Sequence, residues 1–190
     1  VKIVRKGATA KKFNAVATID NYFAEDIKKE KLAQEAKAKL APVLAQKAKE
    51  FAALKNTATK TDSGLQYVIT KDAKGKTPEL GTTVYVHYAG YLEDGTLFDS
   101  SYEEVNKLYG KLDQKRADAK GYKPLKVEAG KYPFIVGFTE GLNAIKLGDK
   151  ATLFIPSNIG YGARGAGGVI PPNANLIFEI ELLENDPTAN

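Results

Sequence analysis

From residue 63 onward, the hydrophobic pattern of the chain is that of β-strands. In the segment 176–183 one side of the alternating pattern is wholly apolar, while the other side carries Glu179 and Glu181, as in a strand with one buried face. Segments rich in β-branched and aromatic residues predict three further strands, at 65–69, 84–88 and 151–155. The Asp94-Gly95 pair predicts a hairpin turn, because glycine tolerates the positive φ that tight turns need.

Only one short helix is predicted in this part of the chain, from Phe138 to Lys146, with Gly148 at its end. Antiparallel strands combined with one helix favour an α+β fold over a parallel βαβ array. A charged segment at 102–123 interrupts the strand pattern, and parts of it have helical spacing. A connection this long inside a compact domain is usually functional or an insertion with its own local structure.

Residues 21–56 have the pattern of a helix that Asp20 or Asn21 can cap. Pro42 lies inside it and predicts a kink or a junction of two helices, because proline lacks the backbone donor. The narrow apolar stripe consists of Leu40, Leu44, Ala48, Phe51 and Leu54. This stripe must pack on the globular domain, a second copy or a neighbouring domain, so self-association through helix 21–56 stays open.

Three regions are therefore expected: 1–20, a helical segment 21–60, and a domain 61–190 with an insertion at about 102–123. The first region contains one short strand at 1–5 with no partner nearby. Because a lone strand cannot satisfy its backbone groups, this strand is either disordered or the last strand of a preceding domain.

Composition and charge narrow the classes of function. The chain has no cysteine and one histidine, which leaves no thiolate nucleophile and no ordinary zinc-enzyme site. Residues 1–60 carry fourteen basic and six acidic side chains, but these lysines alternate with alanine and glutamate, which favours a solvated helix over a nucleic-acid partner. No apolar run is long enough to span a membrane. The absence of cysteine suits a cytosol or a bacterial periplasm and does not choose between them.

Several sequence features that could indicate phosphate binding or acid–base catalysis have simpler structural interpretations. The glycine-rich segment 162–168 precedes Pro171-Pro172 rather than a helix, which argues against phosphate binding. His87 lies within a predicted strand and is interpreted as a buried structural residue rather than a general base. The glutamate pairs 103/104 and 179/181 are interpreted as solvated faces. The many aromatic residues at turns and strand ends form either an aromatic core or a pocket for an apolar ligand such as a prolyl ring.

Four sequence blocks, at 86–101, 137–142, 148–151 and 155–178, resemble the FKBP-type peptidyl-prolyl isomerases, the macrolide-binding immunophilins. The blocks occur in the family's order and cover about 63–183. The resemblance implies a curved antiparallel sheet around one short helix, preceded here by a helical segment. It also implies acceleration of Xaa–Pro rotation in protein folding, without cofactor or metal. The long 102–123 segment resembles insertions in bacterial multidomain relatives, in which a cyclophilin-like domain precedes the isomerase.

The resemblance also implies the site. Its catalytic positions correspond to Tyr88, Phe98, Asp99, Ile135, Phe138, Tyr161 and Phe178, and its further substrate-binding positions to Leu125, Phe134, Ala166 and Ile170. The Ile135 N–H and the Tyr161 hydroxyl would bind substrate carbonyls, and Asp99 would polarise the pocket or orient Tyr161.

Three positions depart from the family pattern: Phe138 replaces a common tryptophan, Leu125 a frequent aromatic residue, and Ala166-Gly167 a bulkier loop tip. The expected ligands are proline-containing peptides, unfolded proteins and macrolide immunosuppressants. The alternative is a catalytically weak chaperone or binding module on the same scaffold.

Overall fold

The computed structural model describes residues 15–188, so the strand expected at 1–5 lies outside the described residues. The chain divides into two compact units between Ala41 and Pro42. Helix α1 is a single element, Ala15–Lys55, and it continues through Pro42. Of the two alternatives at Pro42, the junction of two separate helices is therefore not observed, and the capping positions expected at residues 20 and 21 lie inside the helix. Alanine, leucine and lysine around Pro42 are strong helix formers, which outweighs one lost backbone bond.

Within residues 15–188, seven strands form one antiparallel sheet. The strands are β1 Thr59–Lys60, β2 Gln66–Lys71, β3 Thr83–Leu92, β4 Leu97–Ser100, β5 Leu125–Glu128, β6 Lys150–Ile155 and β7 Leu176–Leu183. The shorter helices are α2 Glu103–Leu108, α3 Gln114–Asp118 and α4 Val136–Asn143. The order across the sheet is β1-β2-β6-β7-β3-β4, and β5 pairs with the first half of β3. The predicted α+β fold is confirmed, whereas β1, β4 and β5 were not among the predicted strands.

The main core lies between α4 and one face of the sheet. Alternate residues of β3, β6 and β7 point to this face, as the period of two requires. Two glycines let the helix approach β6 closely. A Cβ added at Gly137 would lie 2.5 Å from the Ile155 side chain, and one at Gly141 would lie 2.3 Å from that of Leu153. This packing fixes the N-terminus of α4 above the sheet.

The opposite face of the sheet is partly covered by the last turns of α1. Phe51 is 2% exposed, and its ring centroid lies 5.2 Å from that of Tyr91. Lys47 forms a 2.7 Å ion pair with Glu179 on β7. The compact unit that contains the sheet therefore begins at Pro42, because these turns pack on the sheet. Of the packing partners that the sequence left open, the globular domain receives this part of the helix.

The 102–123 segment contains α2 and α3 and packs beside the same face. Tyr109 is buried with its ring centroid 5.8 Å from that of Tyr91. Glu181 accepts a 3.0 Å hydrogen bond from the Tyr102 hydroxyl and lies 3.0 Å from Lys150 Nζ. The glutamates at 179 and 181 are therefore paired and partly buried, with side chains 36% and 18% exposed, which corrects their interpretation as a solvated face.

His87 is a structural residue, as the sequence predicted. It is 9% exposed, its Nδ1 lies 2.8 Å from the Ser101 hydroxyl, and its ring stacks on Tyr102 at a centroid distance of 4.3 Å. Burial lowers the pKa of His87 below its ordinary value of 6.5, although the nearby Glu181 acts in the opposite direction. The folded chain therefore favours the neutral imidazole.

We expect His87→Gln to flatten the pH dependence of the free energy of unfolding. Because the folded-state pKa of His87 lies below the unfolded value of 6.5, the unfolded chain binds more protons between these two values. The stabilisation from neutral His87 is complete above the unfolded pKa and is lost as the pH falls through that window. Urea unfolding of both proteins at about pH 5.5 and about pH 7.5 measures the effect. Equal losses of stability in the two proteins would contradict the assignment.

Candidate active site

One cavity of about 570 Å³ lies between the N-terminus of α4 and the core face of the sheet. All eleven residues that the resemblance implied line it. They are Tyr88, Phe98, Asp99, Leu125, Phe134, Ile135, Phe138, Tyr161, Ala166, Ile170 and Phe178. Three further lining residues, Pro133, Gly167 and Val169, were not predicted. These three are loop residues whose sequence carries no periodic signal.

The floor and walls of the cavity are aromatic rings in edge-to-face contact. Phe138 lies at the centre of this cluster, 4.8 Å from Phe178 and 5.0 Å from Phe134 between ring centroids. Tyr88 meets Phe138 at 6.5 Å, and Phe98 meets Phe178 at 5.4 Å. Interplanar angles between 72° and 90° are those that the ring quadrupole favours. Each ring is therefore held by at least one other.

A β-bulge directs two successive residues of β4 into the cavity. In a regular strand Phe98 and Asp99 would point to opposite faces. The pairing of β4 with β3 shifts by one residue here, since Asp99 is opposite Gly90 and Leu97 is opposite Tyr91. Phe98 is the extra residue, and bulges of this kind re-aim side chains beside active sites.

Gly90 on β3 makes room for two of the aromatic rings. A Cβ at this position would lie 2.4 Å from the Phe98 ring and 2.9 Å from the Phe178 ring. Gly90 was not among the predicted site residues, but a glycine inside a strand pattern is a signal for close approach of neighbouring groups. Any side chain at this position would push the rings into the cavity.

The carboxylate of Asp99 is bonded on both oxygens. Oδ2 accepts a short hydrogen bond from the Tyr88 hydroxyl, and Oδ1 accepts the Ser100 N–H at 2.8 Å. Burial, followed by the hydrogen bond to Asp99, raises the pKa of Tyr88 far above its ordinary value, so this phenol stays protonated and donates. Of the two roles left open for Asp99, orientation of Tyr161 has no supporting hydrogen bond within residues 15–188.

Two hydrogen-bond donors at the cavity have no partner among the described residues. Ile135 precedes α4 with φ −58° and ψ 150°, and its carbonyl accepts the N–H groups of Phe138 and Thr139. The N–H of Ile135 itself makes no such bond. The hydroxyl of Tyr161, whose side chain is 38% exposed, is likewise unpaired in this part of the chain. Both donors remain available to a bound molecule.

The glycine-rich segment 162–168 forms the rim of the cavity. Ala166 and Ile170 exchange two backbone hydrogen bonds of 3.0 Å. Gly165 has φ +61°, and a Cβ there would lie 2.3 Å from the Ile170 carbonyl oxygen. Glycine is therefore required by this turn, which places Ala166 and Ile170 in the cavity wall.

The lining can accept an apolar ring and donate hydrogen bonds to carbonyl oxygens beside it. Its polar side chains are one carboxylate and two phenols. Within residues 15–188, no cluster of three or more histidine, aspartate or glutamate side chains has a metal-binding arrangement. In the same residues, no helix has the length and apolarity to cross a bilayer.

Comparison with known proteins gives a family match and several similar proteins. Residues 74–183 match the model of the family described as FKBP-type peptidyl-prolyl cis-trans isomerase. "FK506-binding protein 1" of Dictyostelium discoideum is 42% identical over 120 residues, which are 63% of this chain and 96% of the relative. "FKBP-type peptidyl-prolyl cis-trans isomerase FkpA" of Escherichia coli is 39% identical over 134 residues, which are 70% of this chain and 42% of the relative. The match thus covers less than half of that longer protein.

Two solved structures share the fold. The crystal structure of FkpA from Escherichia coli has a TM-score of 0.54 and 31% identity, and covers 94% of this chain and 76% of that chain. The crystal structure of AtFKBP13 has a TM-score of 0.53 and 31% identity, and covers 68% of this chain and 98% of that chain. The family match spans more than half of the chain and includes strands β3 to β7, helix α4 and the cavity between them. This chain therefore belongs to the FKBP-type peptidyl-prolyl cis-trans isomerase family.

Proposed function

We propose that this chain accelerates Xaa–Pro rotation in folding proteins by enclosing the twisted imide in the aromatic cavity. The observation that carries the proposal is the combination of an aromatic cavity of about 570 Å³ with two donors that have no partner within residues 15–188, the Ile135 N–H and the Tyr161 hydroxyl. A prolyl ring is apolar, while the carbonyls flanking it need hydrogen bonds. The cavity offers partners for both parts.

The physical basis of the rate enhancement is the loss of amide resonance during rotation. The barrier to rotation about a peptide bond is about 18–20 kcal/mol, and an uncatalysed Xaa–Pro bond isomerises in tens to hundreds of seconds. In the twisted state the C–N bond loses double-bond character and the amide becomes less polar. An apolar cavity therefore stabilises the twisted state relative to the planar, better hydrated ground state.

Each of the eleven lining residues that the resemblance implied has a role in this mechanism. The rings of Phe138, Phe178, Phe134 and Phe98 exclude water from the imide, and Leu125, Ala166 and Ile170 complete the apolar wall. The Ile135 N–H and the Tyr161 hydroxyl hold the flanking carbonyls, which fixes one side of the rotating bond. Asp99 and Tyr88 polarise the edge of the cavity. No covalent step is required.

We infer two further partners of this chain. FK506-type macrolides are inferred because several relatives carry the name FK506-binding protein and because the cavity is apolar. Phe138 and Leu125 offer such ligands less aromatic surface than the usual family residues, so a weaker affinity is expected. Self-association through helix 21–56 remains a prediction, and the exposed side chains of Ile27 and Leu32 are its structural support.

The second candidate is a chaperone or binding module with little catalysis. The smaller aromatic surface at Phe138 and Leu125 favours this candidate. Two measurements on the wild-type chain separate the candidates: the rate of Xaa–Pro isomerisation in a peptide, and the suppression of aggregation of an unfolded protein. If the isomerisation rate equals the uncatalysed rate while aggregation is fully suppressed, the chain is a binding module.

We expect Phe138→Ala to lower kcat/KM for a Leu-Pro tetrapeptide by at least about tenfold, because it removes the floor against which the prolyl ring is positioned. A protease-coupled isomerisation assay measures the rate.

Phe154→Ala is the matched control for the cost of removing a buried ring. Phe154 and Phe138 are each 4% exposed, but Phe154 lies on the opposite face of the sheet, near Phe51. Its variant should lose similar stability and retain its kcat/KM while folded. Equal activity of the two folded variants would contradict the site assignment.

We expect Tyr161→Phe to lower kcat/KM by about twofold to tenfold, which is the effect of one lost hydrogen bond to a substrate carbonyl. Its melting temperature should not change, because the hydroxyl has no partner within residues 15–188. Tyr67→Phe serves as control, since Tyr67 packs against the core but does not line the cavity. An unchanged kcat/KM for Tyr161→Phe would remove this hydroxyl from the mechanism.

A further inference from the structure

Two side chains of the 102–123 segment bond to the backbone of the edge strand β4. This strand pairs with β3 on one side only. Nδ2 of Asn106 donates to the Ser100 carbonyl at 3.0 Å, and Nζ of Lys111 donates to the Leu97 carbonyl at 2.5 Å. These carbonyls belong to the last and the first residue of β4. The segment therefore holds both ends of the strand whose two middle residues line the cavity.

Arg116 on α3 extends this contact to the side chain of Asp99. Its Nη1 lies 3.4 Å from Asp99 Oδ1. Its guanidinium carbon lies 4.4 Å from the ring centroid of Tyr122, and its Nε donates to the Gly121 carbonyl at 3.2 Å. Asp113 caps α3 by accepting the backbone N–H of Arg116 at 3.1 Å. The guanidinium thus has its own supports, independent of the carboxylate that it contacts.

The contact matters because Asp99 connects the segment to the cavity wall. Its other oxygen accepts the hydroxyl of Tyr88, whose ring meets Phe138 edge to face. The Asp99 side chain is 47% exposed, so without a neighbouring cation the carboxylate can turn toward water. A positive charge beside Oδ1 favours the orientation in which Oδ2 faces Tyr88.

We propose that Arg116 is a positioning residue of the isomerase site, which acts through Asp99 and is placed there by the 102–123 segment. This inference rests on the proposed function of the cavity. Arg116 does not line the cavity and does not touch substrate. It keeps the Asp99–Tyr88 pair in place, so that the Tyr88 ring stays fixed against the rotating imide. The segment that interrupts the strand pattern thereby becomes part of the site.

The test compares the full wild-type chain with Arg116→Gln, Asp99→Asn and the double variant in isomerisation of a Leu-Pro tetrapeptide. We expect Arg116→Gln to lower kcat by about threefold to fivefold, as suits a half-exposed ion pair, and to leave KM unchanged. Because Arg116 acts through Asp99, the double variant should match Asp99→Asn within about twofold.

Two further variants separate positioning from folding. Lys115→Gln is the matched control, since Lys115 is exposed on the same helix and has no ion pair within residues 15–188, and it should match the wild type. Arg116→Lys keeps a positive charge within reach of Asp99. It should recover at least about half of the wild-type kcat, because the proposed role requires only an ion pair with Asp99. Melting temperatures are measured for all variants.

The outcomes distinguish this inference from the proposed function. A wild-type chain that does not accelerate isomerisation contradicts the proposed function and this inference with it. An active wild type overturns the inference alone in any of three cases: Arg116→Gln retains the wild-type kcat, the losses of the single variants multiply in the double variant, or Arg116→Lys is as slow as Arg116→Gln. Unfolding of Arg116→Gln at the assay temperature without recovery in Arg116→Lys also assigns Arg116 to the fold only.

Discussion

The cavity exists because two phenyl rings, from the two strands on either side of β3, meet above one backbone position of β3 that has no side chain. Gly90 lies in β3, opposite Asp99 on β4 and opposite Phe178 on β7. A Cβ at this position would overlap the Phe98 ring at 2.4 Å. Because Phe178 in turn contacts Phe138 edge to face, the floor of the cavity depends on the same close approach.

The remaining structure keeps this aromatic cluster fixed while the substrate bond rotates. On one side, α4 packs closely on β6 through Gly137 and Gly141. This packing places the N–H of Ile135, which has no partner among the described residues, at the cavity. On the other side, the 102–123 segment holds the ends of β4. The proposed catalytic contribution of the fold is therefore geometric and electrostatic. The fold positions the carbonyls that flank the imide and removes water from the imide, and no side chain forms a covalent bond with substrate.

The sequence predicted the parts of the molecule that local periodicity determines. The alternation at 176–183 gave the bounds of β7, and the burial of His87 followed from its place in a strand. Helix α4 begins two residues and ends three residues before its predicted bounds, because packing of its glycines on β6 outweighs their low helix propensity. The family resemblance supplied the cavity residues. Neither the local periodicity nor the family resemblance predicted the bulge at Phe98 or the ion pair of Arg116 with Asp99. Both features depend on contacts between segments that are distant in the sequence.

We propose that the cavity lowers the barrier to Xaa–Pro rotation without proton transfer. The most direct test is the solvent deuterium isotope effect on kcat/KM for a Leu-Pro tetrapeptide. It is measured from about pH 6.5 to about pH 8.5, where a general acid or base would show its titration. We expect an isotope effect near unity and a flat pH profile, since Tyr88 stays protonated and bonded to Asp99 throughout. An isotope effect of about two or more, together with a bell-shaped pH dependence of kcat/KM, would show that a proton is transferred in the transition state. That result would contradict the proposed mechanism.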